Sequence, residues 1–234
     1  MKHRLATIAV AAGVALAASS SANAFVFQTG VNASSIPALT GFATTGSMMD
    51  GLAVTAYFNG AAAPTLLWAD IAGGSADDGG VFGNGWSLTL DGDTFTANWN
   101  FTFGANNQLQ LTRLTLDGLN AFTIFDRTNP NQGTPGSAQG RDFVITGGCG
   151  GCDGTVTYDY LVSVGGNPAV GDLFQTVDIN FATAGGNTGP RVSFTFGQDT
   201  DNDIRITQVA EPGSLALTGL ALLGLAAFRR RRGR

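Results

Sequence analysis

"GWSLTLDGDTFTANWNFTFG", residues 85–104, alternates apolar and polar residues with a period of two. Trp86, Leu88 and Leu90 are separated by Ser87 and Thr89. After Asp91-Gly92 the apolar set resumes at Phe95, Ala97, Trp99, Phe101 and Phe103. Successive side chains of a strand point to opposite faces, so the stretch reads as a β-hairpin with one buried face and a tight turn at Asp91-Gly92. A slip of one residue would put three phenylalanines and a tryptophan in water, which pins the register.

Similar short runs follow along the chain: 52–58, 65–71, 109–116, 121–125, 143–146, 155–164, 176–181, 192–196 and 204–209. None carries the 3.6-residue periodicity of an amphipathic helix. In "LQLTRLTL", residues 109–116, the apolar phase shifts between Leu111 and Leu114, predicting a bulge around Thr112-Arg113. Short strands separated by Gly, Asn, Asp and Pro turns predict an all-β fold, an antiparallel β-sandwich of jelly-roll-like form. Residues 28–48 are polar and weakly patterned, an edge strand or a leader. Residues 127–141 form the longest connection without a strand pattern, the place where a binding function is expected first.

Between residues 25 and 210 every acid is aspartate and every base is arginine, 16 against five, a net charge of −11. Nucleic acid is excluded as an expected partner by that sign. There is no histidine or lysine in this body, since His3 and Lys2 precede it. A Ser-His-Asp triad, a lysine Schiff base and a histidine-ligated zinc site are therefore absent, and the expectation is a protein that is not an enzyme. Paired aspartates leave one exception, a secreted Asp-dependent glycoside hydrolase.

Three features are candidate sites. Cys149 and Cys152, the only cysteines, lie in "GGCGGCDG" and read as a disulfide stapling a turn; free redox-active thiols and a metal pair are the alternatives. Asp199, Asp201 and Asp203 alternate in "GQDTDNDIR", where a loop would let three carboxylates converge on calcium, the alternative being a solvated acidic turn. In an extended strand the three would share a face and repel. "SADDGG", residues 75–80, is a weaker version of the same pattern. Trp68, Trp86 and Trp99 could stack on sugar rings, but Trp86 and Trp99 keep phase with the apolar set and read as core.

The ends carry addresses. Lys2, His3 and Arg4 precede the apolar "LATIAVAAGVALA", and "SANA" supplies Ala22-Asn23-Ala24, a secretory signal peptide cleaved after Ala24. At the other end Glu211-Pro212-Gly213 precedes an apolar run from Leu215 to Phe228, followed by Arg229, Arg230, Arg231 and Arg232. At about 1.5 Å per residue this run reaches roughly 21 Å against a hydrocarbon core of about 30 Å, a marginal transmembrane helix. The arginines would stay cytoplasmic.

This order of motif, short apolar helix and arginine cluster resembles the PEP-CTERM sorting signal of Gram-negative bacteria. Ala210 stands where the common form has a proline. "GWSLTLDGDTF" and "TPGSAQGRDF" carry a weaker likeness to secreted PEP-CTERM proteins of unknown function. The resemblance implies recognition by an exosortase, transient residence in the inner membrane, and release to the cell surface or extracellular matrix. The expected domains are a signal peptide over 1–24, a β-sandwich over 25–208 and a sorting signal over 209–234. The expected role is structural or adhesive, with extracellular polysaccharide as a partner; a calcium-assisted carbohydrate-binding module is the alternative.

Overall fold

In a computed structural model of the chain the alternating stretch forms two strands, and most of the other apolar runs form strands as well. The described residues are 25–203 apart from 31, 42, 106–108, 130–132, 136, 138 and 182–188. The expected signal peptide, the strand over 204–209 and the sorting signal lie outside them. Among the described residues no helix is long and apolar enough to cross a membrane.

Following the chain, β1 is Phe25–Thr29, β2 Ala33–Ile36, β3 Leu39–Gly41, β4 Ala53–Phe58, β5 Ala61–Ala62 and β6 Leu66–Leu67. Then come β7 Asp78–Gly83, β8 Trp86–Asp91, β9 Trp99–Phe103, β10 Leu111–Asp117 and β11 Thr123–Asp126. The last five are β12 Val144–Gly147, β13 Gly154–Val164, β14 Leu173–Asn180, β15 Phe194–Gly197 and β16 Asp199–Asp203. Two single-turn 3-10 helices, Gly46–Met49 and Leu119–Ala121, complete the described elements.

The strands form an 11-stranded sheet with the path β3-β16-β11-β14-β10-β4-β5, and a 5-stranded sheet ordered β12-β15-β9-β8-β7. Pairing is mostly antiparallel. The exceptions are β1 and β2, which both run parallel to β13, beside residues 154–158 and 161–164 respectively. Tyr160, between those two stretches, has φ of +59°, so the long strand is bent where it passes from one partner to the other. The weakly patterned residues 28–48 thus hold parts of three strands, for which alternation gave little signal. The bulge expected at Thr112-Arg113 is present as a register shift between Leu111 and Arg113 against β4.

The larger of two hydrophobic clusters lies between the sheets; Ile36, Ile124, Val162, Val164 and Leu173 form the smaller. Trp99 and Phe101 of β9 and Phe194 and Phe196 of β15 form a buried aromatic row, with Trp99 stacked on Phe196 at 5.8 Å and Phe101 on Phe194 at 5.3 Å. Trp68, which follows β6, closes edge-on over Trp99 at 5.2 Å from the side of the larger sheet. A one-residue slip of the β8–β9 pair would expose Leu88, Leu90, Trp99 and Phe101, each less than 1 % accessible. At about 1.5–3 kcal/mol per large side chain that loss rivals the roughly 5–15 kcal/mol by which a domain is stable, so the register has no near competitor.

The tight turn expected at Asp91-Gly92 is not formed. Trp86 pairs with Phe103 and Thr89 with Asn100, which leaves Gly92–Asn98 as a wide loop. The reason is local: the Asp93 carboxylate accepts the Phe95 N–H at 2.9 Å, and the Asp93 carbonyl accepts the N–H groups of Thr96 and Ala97, curling the chain into a turn. Phe95 consequently points outward, 47 % exposed, while Thr94 turns inward and is fully buried.

Candidate functional site

Thr94 turns inward onto a group of carboxylates. Strands β11 and β16 pair antiparallel with Thr123 opposite Asn202, Ile124 opposite Asp201, Phe125 opposite Thr200 and Asp126 opposite Asp199. Residues directly opposite share a face, as do residues two apart on one strand, so Asp126, Asp199 and Asp201 converge. One carboxylate oxygen from each lies within 4.8 Å of the other two, and the three residues are only 1–2 % exposed.

The chain enters β16 from the other sheet through a single residue, Gln198, which is fully buried between β15 and β16. Its carbonyl accepts the Trp99 indole N–H at 2.9 Å and its side-chain oxygen accepts the Tyr158 hydroxyl at 2.7 Å. The side-chain amide reaches the carbonyls of Asp199, Asp126 and Arg141. Gln198 therefore fixes the backbone on both sides of the carboxylate group.

The connection between β11 and β12 packs over the same place. Thr134 donates its N–H and its hydroxyl to the two oxygens of Asp172, which is buried beside the cluster. The Ser137 hydroxyl lies 3.0 Å from Asp126 Oδ2 and 3.3 Å from Asp201 Oδ2; it has one proton and satisfies one of them at a time. Asp199 is better provided, with Oδ1 accepting the Thr94 hydroxyl and the Thr200 N–H, both at 2.8 Å. Asp126 Oδ1 is buried with no hydrogen-bond partner among the described residues.

The electrostatics follow from that inventory. Burial, then the charge of Asp201, push the Asp126 carboxyl up to about 9. Burial and the neighbouring Asp199 raise Asp201 to about 7. Burial raises Asp199 to about 6, held down by its bonds from Thr94 and Thr200. Arg141, the cation acting on Asp199, spends its guanidinium on the carbonyls of Phe95 and Ala97 and on Asn98 Oδ1. Arg127 is paired with Asp142 at 3.0 Å and lies over the rings of Phe27 and Tyr158.

Of the aspartates singled out in sequence, the structure brings Asp199 and Asp201 together on a strand; the loop or solvated turn expected for them is not what forms. All five residues of β16 are buried. Asp203, also buried, donates its N–H to the Phe122 carbonyl and does not belong to the close group. Asp126 takes the third position. It escaped the sequence reading because it is a lone aspartate ending the apolar run "AFTIF", and its partners are more than 70 residues away. Asp78 of "SADDGG" caps a local turn, accepting the Ser75 N–H at 2.8 Å.

Cys149 and Cys152 have their sulfurs at bonding distance with Cα atoms 5.6 Å apart, as a turn staple requires. Trp68, Trp86 and Trp99 are all buried, and Trp86 lines an apolar pocket with Phe58, Pro64 and Leu66. The carboxylate group has convergent oxygens, and the three residues that carry them are buried among the described residues. Its chemistry is that of an all-oxygen cage. No protein-family model, curated protein or solved structure matches the chain.

Proposed function

We propose that this is an exported protein, sorted by an exosortase from the inner membrane to the cell surface or extracellular matrix of a Gram-negative bacterium, where it has a structural or adhesive role. The observation that carries the reading is the order of Glu211-Pro212-Gly213, an apolar run to Phe228 and the Arg229–Arg232 cluster, matched by a signal peptide at the other end. The acidic body resists collapse onto anionic polysaccharide, and its disulfide suits an oxidising compartment.

The form of sandwich in this reading is jelly-roll-like. What supports that refinement is the winding: the chain passes between the sheets at β6–β7, β9–β10, β11–β12, β12–β13, β14–β15 and β15–β16. Such a body serves as a rigid surface module.

Mass spectrometry of the protein recovered from a host with an exosortase tests the proposal. The expected product begins at Phe25 and lacks Arg234. Full-length protein retained in the inner membrane, with a destination unchanged when Arg229–Arg232 are deleted, would overturn it.

A further inference from the structure

We propose that Asp126, Asp199 and Asp201 bind one calcium ion, which ties strand β16 to β11 inside the sandwich. This inference does not depend on the sorting proposal. It rests on two independent observations, the convergence of the oxygens and the state of one of them.

The first is distance. Calcium takes oxygen ligands at about 2.3–2.6 Å, so two ligands of one ion lie no more than about 5 Å apart. The three carboxylate oxygens meet that limit at 4.8 Å or less. The second is the orphan. Asp126 is 1 % exposed, its carboxylate faces those of Asp199 and Asp201, and among the described residues Oδ1 has no hydrogen-bond partner. A buried carboxylate oxygen left unpaired costs on the order of a lost hydrogen bond or more, and native interiors rarely leave one so. The Asp126 carboxyl shares a hydrogen bond with that of Asp201 and takes one from Ser137 at Oδ2, yet no described group is paired with Oδ1: Asp172 is committed to Thr134, and Arg141 is held by carbonyls.

The donor set selects the ion. Three carboxylates with no histidine or thiolate among them suit a hard cation and give a soft or borderline metal no preferred ligand. Magnesium demands a near-regular octahedron and keeps several waters, for which a site this closed has little room, whereas calcium accepts irregular cages. The net effect of filling the site is to replace mutual repulsion across the β11–β16 pair by a shared attraction.

The test uses the full chain in detergent, stripped with a chelator. Isothermal titration with calcium chloride is expected to show one ion per chain. The melting temperature is expected to rise by about 5–10 °C with calcium at a hundred times its dissociation constant. Terbium, a calcium substitute, is expected to luminesce when excited through tryptophan, because the Trp99 indole is bonded to the residue next to Asp199. Asp126→Asn and Asp201→Asn are each expected to abolish both responses while melting, without calcium, no lower than the wild type, since each replaces one of three crowded carboxyls by a neutral amide of the same shape. Asp77→Asn, outside the cluster, is expected to keep them.

The proposal is overturned if the stripped wild type shows no calcium-dependent change, if Asp126→Asn keeps the wild-type increment, or if magnesium gives an equal rise at the same concentration. Should one of the two cluster variants fail to fold, the other and the wild-type titration still decide.

Discussion

Asp126 lies directly across the β11–β16 ladder from Asp199, so two aspartates occupy one cross-strand position inside the sandwich. Like charges placed so are destabilising in a sheet. Burial sharpens the effect, and the folded state relieves it by holding protons on these carboxyls.

The first prediction concerns pH in the presence of a chelator. All three carboxyls are raised above the ordinary aspartate value of 3.8, to about 6, 7 and 9. The folded protein therefore holds protons that the unfolded chain has released. Stability from this source is complete below pH 3.8 and is lost as pH rises through 6 to 9, with a slope of at most about 1.4 kcal/mol per pH unit for each group. Thermal melts across that range in chelator should show a falling midpoint, and Asp126→Asn should flatten the alkaline end. A midpoint rising between pH 6 and 9 would contradict the assignment.

Tyr158 is the second. Burial pushes its hydroxyl's pKa up; the hydroxyl donates to Gln198 Oε1 at 2.7 Å and accepts the Phe143 N–H at 3.2 Å. Tyr158→Phe leaves both partners buried and unpaired, an expected cost of about 1–3 kcal/mol. Urea unfolding should show the loss in midpoint with an unchanged slope.

Trp99 and Phe95 give a paired test of the β8–β9 connection. Trp99 is packed between Trp68 and Phe196, so Trp99→Ala should cost about 3–5 kcal/mol. Phe95 is 47 % exposed, and Phe95→Ala should change stability by less than about 1 kcal/mol. Equal losses would restore the longer hairpin that strict alternation predicts.

The disulfide closes a loop of about four residues, for which chain entropy gives about 2 kcal/mol. Replacing Cys149 and Cys152 together by serine should lower the melting temperature by about 4–8 °C and leave the far-ultraviolet spectrum of the sheets unchanged.

Alternation made β8 and the paired part of β9 legible because one face of each strand is buried and the other is half wet. The same logic fails at β16, where both faces are covered and every residue is buried, four of the five being Asp or Asn. A polar sequence there says turn, and only the pairing with β11 makes it strand. Strict alternation would turn Thr94 outward in phase with Thr96 and Thr102, but the hydrogen bonds of Asp93 curl the chain there and break the alternation. Asp199 and Asp201 were visible as a local pattern. Asp126 was not, since no local spacing encodes a partner on another strand, and the parallel docking of β1 and β2 on β13 was hidden for the same reason.

Strand β16 sits inside its sheet, between β3 and β11, although it is the last strand described. Thr40 bonds the Asn202 carbonyl across 162 residues of chain. A chain made from its N-terminus therefore leaves the facing margins of β3 and β11 bare until β16 has been synthesised. Closure across so long a stretch of chain carries a large loop-closure cost and slows folding.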